Sequence, residues 1–138
     1  MKQLSVFLEN REGRLEEALG ILKDRNINII SMSVADTADY GMLRLIVNDV
    51  EKGKEALQKE GFSAHFSEVI AVRLPHVVGS LHDALSSLSK AGINIEYLYA
   101  LCTKTDEAAI VIKPSDKDGA VKALQAAGFK FFTDGDLF

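Results

Sequence analysis

The chain has 138 residues, 47% of them hydrophobic and 26% charged, with a formal net charge of −4, which is the profile of a soluble globular protein of one ordinary domain or two small ones. Residues 1–68 carry 9 Lys/Arg against 12 Asp/Glu and residues 69–138 carry 7 against 8, so neither half has the basic excess from which nucleic-acid binders draw their affinity. No apolar run is long enough to cross a membrane, the short apolar stretch after Met1 is no signal peptide, and the single Cys102 leaves no internal disulfide; the expectation is a cytoplasmic protein with no membrane or nucleic-acid partner.

Leu4, Val6 and Leu8 alternate with Ser5 and Phe7 in a short run that predicts a strand. Asn10-Arg11-Glu12-Gly13 breaks it, and Leu15, Ala18, Leu19 and Leu22 then recur at helical spacing. Glu16 and Glu17 in the first turn and Lys23 and Arg25 in the last suit the helix dipole, and Asn26 can take the left-handed conformation that ends a helix. Strands follow at Asn28–Ala35 and Met42–Val47, joined by a turn over Asp36–Gly41. Asp49 N-caps a second helix running to about Glu60, Gly61 ends it, and Phe62–Phe66 is a fourth strand.

The same order then repeats. At an offset of 66, Gly13, Leu15, Ala18, Leu19, Leu22, Ile27, Asn28 and Ile29 fall on Gly79, Leu81, Ala84, Leu85, Leu88, Ile93, Asn94 and Ile95, 8 identities over 17 positions. Beyond them the offset is 67, and Asp49, Ala56, Leu57, Gln58, Gly61 and Phe62 fall on Asp116, Ala123, Leu124, Gln125, Gly128 and Phe129. One residue is therefore inserted between the blocks, near Thr105-Asp106. The second copy is predicted as Val69–Leu74, Gly79–Ala91, Asn94–Cys102, Ala108–Lys113, Asp116–Ala127 and Phe129–Thr133, with Gly92 in the place of Asn26. This reads as a duplicated domain, 1–68 and 69–138, without a Gly-, Pro- or Ser-rich linker at the boundary. The fold class is α+β: two tandem ferredoxin-like βαββαβ units, each an antiparallel sheet with helices on one face. So small a unit buries little core alone, so the two units are expected to pack as one body, and an exposed face or edge to favour a homodimer.

The stretch Phe7-Leu8-Glu9-Asn10-Arg11-Glu12-Gly13-Arg14-Leu15, followed by Asn26-Ile27-Asn28-Ile29, resembles the signature of ACT domains. His76-Val77-Val78-Gly79-Ser80-Leu81 and Gly92-Ile93-Asn94-Ile95 repeat it, so the likeness covers nearly the whole chain. The resemblance implies regulatory binding of an amino acid where units meet, with no cofactor. It places Asn10, Arg11, Glu12, Gly13, Arg14 and Leu15, and in the second unit His76, Val77, Val78, Gly79, Ser80 and Leu81, in the ligand-binding turn. Ser31, Met32 and Ser33, with Tyr97, Leu98 and Tyr99, match the second-strand wall. Many members have Pro before the turn Gly, where this chain has Glu12 and Val78, and His76 replaces Asn10 in the second unit. One turn that binds ligand beside one that is structural therefore fits the pattern too.

Physical chemistry gives a parallel argument. A glycine at a helix start lets the backbone approach a ligand closely, and free N–H groups at the positive helix end suit a carboxylate. Asn10 can reach a carboxylate or an ammonium, and Glu12 can pair with an ammonium. Each residue also has a plainer role. Asn10 can make a local turn bond, Gly13 and Gly79 can serve helix packing, and Asn28 and Asn94 can make structural bonds at the strand start. Ser80 with Asp83 resembles a capping box. Tyr97 and Tyr99 should share a strand face that lines a pocket or a dimer interface. His65, His76 and His82 have no metal-ligand spacing, and Cys102 reads as a buried, inert thiol in a strand.

No phosphate loop, dinucleotide glycine motif or nucleophile elbow is present. The expected function is a free-standing amino-acid sensor, not an enzyme, acting through a partner enzyme or regulator. Histidine, phenylalanine, the branched-chain amino acids and serine are candidate ligands. A ligand-free oligomerisation or interaction module and a small enzyme are the competing readings.

Overall fold

The computed structural model describes residues 1–36 and 40–138. The elements run β1 (Lys2–Glu9), α1 (Arg14–Asp24), β2 (Ile29–Asp36), β3 (Tyr40–Val47), α2 (Val50–Lys59), β4 (Ser63–Glu68), β5 (Ile70–Leu74), α3 (Ser80–Lys90), β6 (Ile95–Ala100), β7 (Ala108–Pro114), α4 (Lys117–Ala126) and α5 (Asp134–Leu137). They fall into two compact units, Lys2–Ser67 and Glu68–Phe138 together with Met1. The expected βαββαβ pattern is borne out twice, with the last strand of the second unit reduced to a single bridge; of the turn expected at Asp36–Gly41, Thr37, Ala38 and Asp39 lie outside the described residues.

In the first unit the sheet order is β2-β3-β1-β4. The alternation read from the sequence becomes a sidedness here. Leu4, Val6 and Leu8 of β1 and Leu43 and Leu45 of β3 are buried with Ala18 and Leu22 of α1 and Leu57 of α2. Leu4 pairs with Leu45 and Val6 with Leu43, so one face of the sheet is core and both helices cover it. Each such leucine, removed from water, contributes about 1.5–3 kcal/mol.

In the second unit the sheet is β5-β7-β6, with Ile70, Val72, Leu74 and Ile112 packed on Ala84, Leu88, Ala120 and Leu124. The duplication extends to irregularities. A register shift between Ile29 and Ser31 in β2 recurs between Ile95 and Tyr97 in β6. Beside it the Asn28 N–H donates to Asn48 Oδ1 at 3.0 Å, and the Asn94 N–H donates to Ser115 Oγ at 3.1 Å. Asn26 takes φ 56° and Gly92 φ 73°, the left-handed helix ends read from the sequence.

Three expectations are corrected. Phe129–Thr133 is not a full strand: a single bridge, Val72 to Phe131, marks its place, and the chain then turns into α5. The physical reason is Asp136, whose carboxylate accepts from the Thr133 N–H at 2.7 Å and from Thr133 Oγ1 at 2.9 Å; helix start signals at Thr133 win over strand continuation. Cys102 is exposed, because β6 ends at Ala100 and the longer connection carrying the inserted residue begins there. Ser80 and Asp83 form no capping box: Gly79 is the N-cap of α3, and Ser80 Oγ donates instead to the Pro75 carbonyl at 2.9 Å.

Candidate functional site

The first turn leaves β1 at Glu9 and reaches α1 through Asn10–Gly13. The Arg11 N–H donates to the Glu9 carbonyl at 2.8 Å, and the Arg14 N–H to the Arg11 carbonyl at 3.3 Å. Gly13 is the N-cap of α1 at φ 84°, a conformation that costs an L-residue strain, and no side chain caps the helix. The second turn has the same construction. Gly79 sits at φ 88° as the N-cap of α3, again without a side-chain cap. By contrast Asp49 caps α2 by accepting from the Lys52 N–H at 3.1 Å, and Asp116 caps α4 by accepting from the Gly119 N–H at 3.1 Å. The two helices that open at the candidate turns have no side chain over their first-turn N–H groups. The Arg14 and Ser80 N–H groups donate to the Arg11 and Val77 carbonyls, and the next donors, Leu15 and Glu16 or Leu81 and His82, lie at the positive helix end, where another acceptor can bind.

Around the first turn, Asn10, Arg11 and Glu12 are exposed, and Arg11 Nε lies 3.4 Å from Glu9 Oε2. Arg14 turns inward. Its guanidinium lies over the Phe62 ring at 4.1 Å, Nη1 donates to Glu17 Oε2 at 3.0 Å, and the buried Nε has no hydrogen-bond partner. Arg14 is therefore a packing residue as well as a charge. Around the second turn His76 and Gly79 are exposed, Val77 and Val78 are 66% and 103% exposed, and Ser80 and Leu81 are half-buried.

The second-strand walls split between two faces. Ser31 and Ser33 lie opposite Ile46 and Arg44, away from the helices, and Ser31 is buried. Met32 lies opposite the core residue Leu45, on the helix side, and is 39% exposed. In β6, Tyr97 and Tyr99 share one face opposite Lys113 and Val111, as the spacing implied, and Tyr99 is buried, while Leu98 is on the helix side and exposed. A cavity of about 580 Å³ lies along α1 from the first turn, walled by Arg11, Gly13, Leu15, Glu16, Leu19, Gly20 and Lys23. It joins turn residues to the outer flank of α1, and Ser31, Met32 and Ser33 take no part in its wall.

Sequence reading missed a second cluster. Arg73 of β5 donates from Nε to the Phe131 carbonyl at 3.1 Å and from Nη1 to Glu107 Oε2 at 2.6 Å. Its Nη2 lies 3.3 Å from Asp136 Oδ2 and its guanidinium stacks on Phe132 at 4.0 Å. The Asp136 carboxyl is held below the usual carboxylate range, first by the Thr133 backbone N–H, then by the Thr133 hydroxyl and the Arg73 charge. Thr133-Asp134-Gly135-Asp136 has the spacing of a helix-start motif, which was the available signal. Among the described residues no group of three or more His, Cys, Asp or Glu is placed to hold a metal ion, and no helix is long and apolar enough to cross a membrane.

Comparison with known proteins agrees with this architecture. A solved structure of protein BT0572 from Bacteroides thetaiotaomicron is 37% identical, covers 98% of this chain and 93% of that one, and superposes with a TM-score of 0.90. The acetolactate synthase isozyme 3 small subunit of Escherichia coli (strain K12) is 39% identical over 59 residues, 41% of this chain and 36% of that protein. The chain thus matches little more than a third of that curated relative's length. The regulatory subunit of aspartate kinase from Thermus thermophilus shares the fold, with 16% identity over 91% of each chain and a TM-score of 0.66. The model of the ACT domain pair matches residues 1–138, and the chain belongs to that family.

Proposed function

We propose that this protein is a regulatory pair of ACT units, residues 1–68 and 69–138, that binds a free amino acid and is not itself an enzyme. The observation that carries the reading is the absence of a side-chain cap on α1 and α3, each opening at a left-handed glycine, while α2 and α4 are capped by aspartates. The ligand carboxylate accepts from the first-turn N–H groups after Gly13 or Gly79. On this reading Asn10 and Glu12 in the first turn, and His76 in the second, all exposed, meet its ammonium or side chain. Met32 and Leu98, exposed on the helix side of β2 and β6, are then available as apolar wall. The small subunit of acetolactate synthase and the regulatory subunit of aspartate kinase, both similar in part or in fold, support a regulatory role. On this reading the chain works as a homodimer in the cytoplasm and passes its signal to a partner enzyme or regulator.

A thermal-shift screen of the twenty amino acids tests the proposal, beginning with histidine, phenylalanine, the branched-chain amino acids and serine. A ligand at 100 times its dissociation constant stabilises the folded state by about 2.7 kcal/mol, several degrees for a chain of this size. Asn10→Ala or His76→Ala abolishes the shift according to which turn is occupied. If no amino acid moves the transition, the protein is the ligand-free interaction module instead. The exposed Leu15, Met32 and Val34 are the observation that favours that second reading.

A further inference from the structure

The second turn lacks two polar groups of the first: His76 stands where Asn10 does, and Val78 where Glu12 does. The charges of the second unit gather on another surface. A cavity of about 340 Å³ lies between Arg73, Leu74 and Pro75 at the end of β5, Glu107, and Ala127–Lys130 after α4. That is the small end of ligand pockets, which run roughly 300–1,000 Å³. Its charged positions changed character between the copies. Arg73, Glu107 and Lys130 correspond to the uncharged Phe7, Tyr40 and Ser63 of the first unit.

The charges suit a ligand that carries both signs. Arg73 Nη1 donates to Glu107 Oε2 at 2.6 Å and Nη2 lies 3.3 Å from Asp136 Oδ2, so Arg73 holds the Glu107 carboxylate at the cavity wall. The Glu107 side chain is still 49% exposed, and its other oxygen has no partner among the described residues. The Lys130 ammonium is exposed and likewise has no partner among the described residues. Arg73 and Lys130 are balanced by Glu107 and Asp136, so a lone cation or anion would unbalance the group while a zwitterion would not. The C-terminal end of α4 at Ala127 adds partial negative charge that favours an ammonium. Leu74, Pro75 and Phe129 make the remaining wall apolar.

We propose that this cavity is a second amino-acid site, built differently from the helix starts. Lys130 takes the carboxylate of a free apolar amino acid, Glu107 and the end of α4 take its ammonium, and Leu74, Pro75 and Phe129 pack against its side chain. The site goes beyond the helix-start reading, and neither needs the other.

The nitrogen-labelled full chain, titrated with alanine, valine, leucine and phenylalanine at millimolar concentration, tests it through amide shifts. At least one of the four should give saturable shifts at Leu74, Gly128, Phe129 and Lys130. Lys130→Glu sets like charge against the carboxylate, and Glu107→Gln removes the charge that meets the ammonium. Each should weaken binding about tenfold or more while circular dichroism stays native. The decarboxylated and deaminated forms of the amino acid that binds, isoamylamine and isocaproate in the case of leucine, should also bind about tenfold more weakly or worse. No saturable shift at these amides with any of the four overturns the proposal, as do shifts that neither substitution weakens. An analogue that binds as well as its parent overturns the zwitterion assignment. Shifts confined to Gly13–Glu16 or Gly79–His82 overturn this second site and leave the helix-start reading standing. Shifts confined to the cavity do the reverse.

Discussion

At the scale of single residues, the candidate site depends on backbone conformation more than on reactive side chains. Gly13 at φ 84° and Gly79 at φ 88° each bring a helix start to the surface with its donors open. Gly13→Ala should cost roughly 1–2 kcal/mol of stability from the left-handed strain alone, read as a lowered urea midpoint, and should also weaken amino-acid binding. Asp136 shows the opposite use of a helix start, with a carboxylate filling the donors. Its carboxyl titrates below its unfolded value, so the stabilisation is present above the ordinary aspartate range and is lost as pH falls through the lowered value. The segment Phe131–Phe138 should therefore loosen on acidification before the rest of its unit. Asp136→Asn should loosen it already at neutral pH, read as amide exchange at Phe138, whose N–H donates to the Asp134 carbonyl.

At the scale of elements, periodicity carried the sequence reading far. The stripe Leu15, Ala18, Leu19, Leu22 gave α1 and its buried face, and the structure buries Ala18 and Leu22 completely. Leu22→Ala should cost about 2–5 kcal/mol, measured by chemical denaturation. Gly20→Ala, on the open flank of the same helix, should instead stabilise the protein by about 0.5–1 kcal/mol when measured in dilute solution. The element that misled was Phe129–Thr133. Its composition is that of a strand, and the homologous stretch of the first unit is one, β4. What the β-formers cannot express is the competition from Thr133 and Asp136 three positions apart, tied down by Arg73. Homologous positions also diverged in kind: Phe7 and Tyr40, a ring pair at 4.8 Å in the first unit, correspond to Arg73 and Glu107, an ion pair at 2.6 Å in the second. Offset alignment lines these residues up, but only coordinates show that each pair is in contact.

At the scale of the whole molecule, the duplication was the most legible feature, and it carried topology, shared bulges and paired turns. The candidate turns were legible too, because glycine and asparagine at a strand-to-helix junction declare their conformation. The walls were not. Strand pleat alone places Ser31 and Met32 on opposite faces, but which residue is covered follows from packing: Ser31 and Tyr99, on the face away from the helices, are buried, while Met32 and Leu98 on the helix side are exposed. The account's central claim is that an amino-acid carboxylate takes the open N–H groups at a glycine-led helix start. Amide chemical shifts of the nitrogen-labelled chain, followed while a binding amino acid is titrated in, report on those groups directly. The account predicts that the largest saturable shifts fall on the amides of Gly13–Glu16, of Gly79–His82, or of both. Saturable shifts that leave both stretches unmoved and cluster elsewhere would contradict it.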